Sequence, residues 1–487
     1  MTSVTDKKGE DPIIYLFPLE RTSAFDEELP NGHANQPPAE PVRQKWYQWF
    51  SPIDTAEERR LVIKLDCLIL IYICIAYWVK VMDGSTISAA YVSGMKEDLA
   101  LNGNELNYIG TINLVGFLIP QIPLTVMMAR WGSSHWIPAA DLFAGIFTLA
   151  QYKVSNVSQV YAIQFFLGVS GSFYYPGVHW YLGSWYKSSE LSRRGALFFI
   201  ASQLGSMSAS YIQSAAYVTL DGRYGIASWR WLSIICFAIT VPVAVVGFFL
   251  LPGTPDKPRG RFLTEEEIVL AKRRMEDEGR EPAKPLTVAV IKDVLLGWHF
   301  WVLVGLTWFF SQTGGASIDL WLKAEGYSVE DINNITGAIP PVTIVACVVN
   351  GILSDAYDAK VALITATGLL NLFAAICLAV WNIPVGLKFL SYFIFGTAYG
   401  IAAVIYSWAN EICGGSSEER AIVLSSMNTI GNVFSAWVPL LVWKVTEAPR
   451  YPRGFIWTIT LNVGMIIMAW VTRYFWRQEK SRRHVSS

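Results

Sequence analysis

Apolar runs of membrane-spanning length recur along this chain, with short polar breaks between them. The first, from Leu61 to Met95, opens behind Arg59, Arg60 and Lys64 and is almost wholly apolar through Leu68–Val79. A helix of about 20 apolar residues crosses a hydrocarbon core of about 30 Å. A sliding window of that size finds further runs at approximately 105–128, 134–154, 158–182, 193–217 and 228–250. A polar stretch from Pro252 to Asp293 follows. Runs then return at approximately 297–321, 333–353, 360–380, 385–411, 419–445 and 454–476. The pattern predicts an all-α membrane protein with 12 transmembrane helices in two six-helix halves, 59–250 and 296–476, joined by a central loop over 251–295.

Lysine and arginine in short loops predict the orientation. Arg59, Arg60, Lys64, Arg130, Lys187, Arg193, Arg194, Lys360 and Arg420 share one side with Arg477, Lys480, Arg482 and Arg483 of the basic tail 477–487. Both termini and the central loop are therefore expected in the cytoplasm. The opposite side keeps some cations of its own, among them Lys96, Arg223, Lys323 and Lys388, so the bias is real but incomplete. Residues 1–58 are polar, acidic and Pro-rich, without an apolar core, and read as a disordered cytoplasmic tail rather than a signal peptide. Two glycosylation-type triplets, at Asn156 and Asn334, fall on the outer side, very near the membrane. In the central loop, Thr264 with Glu267 forms a capping-box pattern ahead of an amphipathic helix over Ile268–Glu278.

Composition agrees. Of 487 residues, 53% are hydrophobic and 16% charged, against about 25% charged in soluble domains. A net charge of −1 and the lack of a basic, aromatic-interleaved patch exclude a nucleic-acid binder. The six cysteines are scattered through apolar runs and predict buried thiols, with neither a metal site nor a disulfide framework. No nucleophile elbow, phosphate loop or HExxH pattern is present, so neither an enzyme nor a cofactor is expected.

Chemistry enters where polar groups interrupt the apolar runs. Lys80 and Asp83 sit inside the first run, where a charge costs about 2.5–3.5 kcal/mol on insertion scales. Their spacing puts them on one helical face, where they can neutralise one another and look into a polar cavity. Asp141, His179, Gln203, Asn371, Asn428 and Asn432 are further intramembrane polar groups. His179 is either a proton relay or an ordinary hydrogen-bonded histidine, and Asp141 either a structural partner or a proton site. Tyr72, Tyr77, Trp78, Tyr174, Tyr175, Trp308 and Trp408 either pack at interfaces or line a site for an organic molecule. The fifth run carries Ala201, Gly205 and Ala209 every fourth residue, a row that lets helices approach closely.

Several stretches carry a resemblance. They are Lys80-Val-Met-Asp83 leading into Ala90–Asp98, Tyr175-Pro-Gly177 followed by Leu182–Tyr186, and, later, Trp408–Cys413, Glu419-Arg-Ala421 and Met427–Asn432. In that order the chain resembles the major facilitator superfamily over approximately residues 60–480. Within it the chain looks like the fungal anion:cation symporter, allantoate permease-like branch, and most like its pantothenate transporters. The likeness implies charge-paired gates, with Arg130, Asp355, Lys360, Glu411 and Arg420 as gate candidates, Glu411 being either a gate residue or an ion-pair partner at a helix end. It also implies Arg and Glu where this chain has Gln164 and Gly171, a departure that removes two charges together.

The expectation is then a secondary transporter, a monomer in the plasma membrane and its lipid, importing a small carboxylate-bearing organic anion by proton symport. Lys80 would attract the carboxylate and Asp83 would exchange the proton. Asp141, Tyr174, Tyr175, Trp308 and Asn428 are the further substrate and proton candidates. Two alternatives stay open from the residues alone: export of a fungal secondary metabolite, and a nutrient receptor that barely transports.

Overall fold

The computed structural model describes residues 49–50, 54–259, 262–276, 288–314, 318–357, 359–413 and 417–486. Most of the N-terminal tail and residues 277–287 of the central loop lie outside that range. Within it the chain is helical, without a strand. The first helical segment, Ala56–Asp98, begins on a capping box. Thr55 Oγ1 accepts from the Glu58 amide at 3.2 Å, and Glu58 Oε2 accepts from the Thr55 amide at 2.8 Å. The helix thus starts inside the stretch read as tail, ahead of the apolar run. It is broken near its end where Ser93 and Gly94, the latter at φ 109°, leave helical geometry, and a last turn, Lys96–Asp98, follows.

Later apolar runs are broken helices. Glu105–Leu118 stops at Pro120 and resumes as Gln121–Trp131. Val157–Gly171 stops just before Tyr174–Trp185, which carries Pro176 in its first turn. A proline lacks the N–H that continues a helical ladder, so each break sits where the sequence cannot supply that bond. Among the described residues six helices are long and apolar enough to span a membrane: Ala56–Asp98, Ser228–Leu250, Val329–Ser354, Lys360–Val380, Val385–Ile412 and Pro452–Arg482. The last helix continues to Ser486, so the basic tail extends it. One smaller expectation needs adjusting. Cys67 is exposed, unlike buried Cys236 and Cys413. Asn156 caps Val157–Gly171 through the Gln159 amide at 3.0 Å, and Asn334 lies inside a helix, Val329–Gly337.

Close helix contact follows from the small residues. A Cβ on Gly205 would lie 2.5 Å from the Trp78 carbonyl oxygen, so Ser188–Leu220 meets the first segment backbone to backbone. A Cβ on Gly168 would lie 2.1 Å from the Asn113 carbonyl oxygen.

Three large apolar cores organise the bundle. One is drawn wholly from residues before the middle of the central loop, including Leu61, Tyr174, Trp185 and Ala271. A second comes wholly from later residues, including Leu303, Trp408 and Met465. The third mixes both blocks, joining Tyr91, Leu101 and Trp229 to Trp321, Tyr392 and Phe455. Polar bonds gather with this mixed core. Lys323 pairs with Glu97 at 2.9 Å, Asn333 donates to Ser93 at 3.1 Å, and Asn107 donates to the Trp443 carbonyl at 2.7 Å. The blocks are therefore joined at the end away from the central loop and have separate cores at the other.

The central-loop helix, Glu265–Glu276, docks on the first block. Its expected capping box is formed, Thr264 N donating to Glu267 at 2.8 Å and Glu267 N to Thr264 at 3.3 Å. Glu267 also pairs with Lys64 at 2.7 Å, and buried Arg274 pairs with Glu190 at 2.7 Å and Glu58 at 3.3 Å. Partial burial pushes the Glu267 carboxyl up, but the Lys64 ammonium and the Thr264 amide outweigh it and hold it below the usual carboxylate range. A depressed carboxylate contributes docking energy above its ordinary value of about 4.3 and loses it as pH falls through the folded value.

Two outcomes follow. Acidification below about pH 4 should expose the central loop to protease faster in the wild type, and Glu267→Gln should be cleaved readily already at neutral pH. Gly205→Val should lower the thermal midpoint in detergent by the equivalent of about 1–3 kcal/mol, because the new methyls meet backbone that has no room to yield.

Candidate functional site

A cavity of about 410 Å³ lies between the two blocks. Tyr77, Lys80 and Asp83 reach it from the first segment, on one face as their spacing requires. Asn113 and Phe117 come from Glu105–Leu118, Gly168 and Gly171 from Val157–Gly171, and Tyr174 and Tyr175 from the helix after the break. Asn428 and Asn432 close it from Ser417–Val442 in the second block. The site is thus an asymmetric one: ionisable groups from the early helices, amides from the late helix.

Lys80 and Asp83 turn to different neighbours rather than to each other. The Lys80 ammonium donates to Ser170 Oγ, whose own hydroxyl donates to the Leu167 carbonyl at 2.7 Å. Asp83, fully buried, is met by the Thr240 hydroxyl at 3.1 and 3.3 Å. That hydroxyl has one proton and also faces the Cys236 carbonyl at 2.8 Å, so its hold on Asp83 is shared. Asp141, one helix away on Ser133–Ala150, acts on the Lys80 charge through space, as Asp83 does. Asp141 Oδ2 accepts from Tyr174 at 3.4 Å, while its Oδ1 and the nearby Tyr72 hydroxyl have no hydrogen-bond partner. Asp141 is not on the cavity wall. Tyr174 connects it to the wall, and Tyr77 stacks on Tyr174 at 5.7 Å and on Phe198 at 3.9 Å.

The remaining sequence candidates divide. Tyr175 and Asn428 line the cavity; Trp308 does not, being packed against Phe434 and Trp457 at ring separations of 5.3 and 6.3 Å. His179 is hydrogen-bonded through Nδ1 to the Tyr175 carbonyl at 2.8 Å. Gln164 is buried, and Asn113 Nδ2 donates both to its carbonyl and to its side-chain oxygen at 3.0 Å. Among the gate residues, Lys360 meets Glu411 at 2.5 Å, and Lys480 reaches the same carboxylate at 3.6 Å. Arg420 is exposed; the side chains of Arg130 and Asp355 lie outside the described residues.

Sequence reasoning missed several groups. Ser170 and Thr240 read as ordinary small polar residues, and only the fold shows which charges they meet. It missed a second hub too: His299 lies 2.5 Å from Glu419 and 2.9 Å from Glu479, tying three helix ends together beside Trp298. Here the lone signal was a histidine at the start of an apolar run.

Residues 73–439 match the Major Facilitator Superfamily. The chain belongs to this superfamily. Its members are transporters, so the chain is a multi-pass integral membrane protein and not an enzyme. It is 32% identical over 430 residues to the pantothenate transporter liz1 of Schizosaccharomyces pombe, covering 87% of this chain and 83% of that protein. It is 33% identical over 459 residues to the vitamin H transporter of Saccharomyces cerevisiae, covering 90% and 77%. The fold is shared with the partially occluded inward-open xylose transporter XylE from E. coli, with TM-score 0.60 over 84% of this chain and 99% of that one. At 13% identity this last likeness is one of fold alone.

Tyr174→Phe removes the one hydrogen bond drawn to Asp141 and leaves a buried carboxyl group without a partner. It should lower stability by about 1–3 kcal/mol, read as the thermal midpoint in detergent, and Asp141→Asn should suppress most of that loss.

Proposed function

We propose that the chain is a secondary active transporter that moves a small organic anion, pantothenate or a similar carboxylate-bearing vitamin, by proton symport with alternating access. One observation carries this reading: a lysine ammonium in the wall of a two-block cavity is met by a neutral hydroxyl instead of a carboxylate. An ammonium hydrogen-bonded to a hydroxyl can exchange that bond for a stronger, charge-assisted one, and a substrate carboxylate supplies it. The printed names of two relatives, one a pantothenate transporter and one a vitamin H transporter, support the substrate class.

In this reading the consecutive helical segments form twelve spans in two halves, with the breaks at Pro120 and before Tyr174 lying within single spans. Both termini and the central loop are cytoplasmic, as the basic loops require. The mixed core then closes the outer side, and the separated cores flank an inner opening. Lys360 and Glu411 belong to the gate on that inner side, together with Arg130, Asp355 and Arg420. The protein works as a monomer in the plasma membrane.

Asp83 and Asp141 are the proton candidates, each held by a single hydroxyl. One proton per monovalent anion is electroneutral and is driven only by the pH gradient, about 1.4 kcal/mol per unit. A second proton would add about 2.3 kcal/mol per 100 mV of membrane potential.

The test is uptake of labelled pantothenate in yeast lacking its own pantothenate uptake. Wild type should restore uptake that collapses with an uncoupler, Lys80→Gln should lower it at least about tenfold (about 1.4 kcal/mol) at equal surface expression, and Asp83→Asn should flatten its pH dependence. Full uptake by Lys80→Gln would remove the site assignment. Uptake indifferent to uncouplers would remove the proton.

A further inference from the structure

The contents of the cavity wall beside Lys80 point beyond the lysine itself. The ammonium donates to Ser170, the residue next to Gly171. A Cβ built on Gly171 would lie 3.2 Å from Lys80 Cε, 3.7 Å from its Nζ and 3.7 Å from the Phe117 ring. Gly171 also lies on the cavity wall. The end of the lysine side chain therefore lies against Gly171, a position on this wall where a side chain would reach its charge. The two nearby carboxylates hydrogen-bond elsewhere: Asp83, on the lysine's own helix, with Thr240, and Asp141, on another helix, with Tyr174. Across the cavity, the late helix presents Asn428 and Asn432, which are neutral.

We propose that Gly171 is a specificity-determining residue: by carrying no side chain, it leaves the Lys80 ammonium, positioned by Ser170, as a receptor for a substrate carboxylate. The inference rests on the transport reading above and names what sets its charge preference. A carboxylate side chain at position 171 would take the place of the substrate's own and turn an anion site into a neutral one. A neutral side chain of the same size would fill the space and leave the charge. Alanine adds one methyl against the flexible end of a lysine, which can shift by the few tenths of an ångström required.

Two measurements separate this from failure of the transport reading. The first needs no substrate. In purified full-length protein, Gly171→Glu should melt about 2–4 °C above Gly171→Gln when Lys80 is present. In the Lys80→Met background the order should reverse, because the new carboxylate is then buried without a partner. An unchanged order in the two backgrounds would show that position 171 does not reach the ammonium and would overturn the proposal. The second is uptake of labelled pantothenate at equal surface expression. Gly171→Glu should fall at least tenfold below Gly171→Gln. Equal losses for the two would mean that bulk, not charge, matters there, which also overturns the proposal. A wild-type protein that takes up no pantothenate would sink the vitamin reading, while the stability cycle still decides the role of Gly171.

Discussion

The structure depends on how it holds a positive charge inside an apolar bundle. An ammonium on a membrane helix costs about 2.5–3.5 kcal/mol to insert, and the usual remedy is a direct ion pair. Here the remedy is distributed. Lys80 rests on Ser170, Asp83 on Thr240 and Asp141 on Tyr174, with the charges acting on each other only through space. Breaking a tight buried ion pair costs about 3–5 kcal/mol, whereas exchanging one hydroxyl hydrogen bond for another costs on the order of 1 kcal/mol or less. Three ionisable groups each held by a hydroxyl are stable enough to fold and loose enough to change partners. On the proposed function, that looseness is what the site needs.

The same contrast separates what travels together from what comes apart. Arg274 and Glu190 are both buried, paired at 2.7 Å, and fix the central-loop helix to the first block. The bonds between the blocks are of another kind: an exposed Lys323–Glu97 pair, and single amides such as Asn107 and Asn333 donating to a carbonyl or a hydroxyl. Each contributes about 0.5–1.5 kcal/mol net and can be remade with water. A rocking motion of two blocks would break the second set and leave the first intact, so the loop helix rides with the first block as a rigid attachment.

Much of this was legible in the residue pattern. The apolar runs gave the helical class and nearly every segment, and Ser228–Leu250 and Lys360–Val380 fall where the pattern puts them. The capping box at Thr264 and the row of Ala201, Gly205 and Ala209 also did, because each is a local rule with a local geometry. What the pattern hid was partner choice. Lys80 and Asp83 lie three apart on one face, and that spacing argues for a pair. It cannot show that Ser170 and Thr240 offer each charge a nearer partner from another helix. A hydropathy window also averages over breaks, so Pro120 and the turn before Tyr174 vanish inside smooth apolar runs. Trp308 misled for the opposite reason: an aromatic on an apolar helix has no periodic mark to tell a cavity wall from a packed interior.

The fourth apolar run shows best why site chemistry is harder to read than fold. Its helix must pack closely enough on Glu105–Leu118 that Gly168 touches the Asn113 backbone. That contact brings the Asn113 side chain onto Gln164, so a buried amide is satisfied by a neighbouring amide and no charge is required. About two turns further on, the same helix presents Ser170 and Gly171 to Lys80, where, on the proposed reading, a hydroxyl and an absent side chain set what the lysine can bind. Two neutral residues, Gln164 and Gly171, thus leave the segment without the charges its resemblance implies, and for different physical reasons. At Gln164 hydrogen bonding takes the place of charge; at Gly171 empty space does, and on the proposed reading that space beside an ammonium is room for an anion.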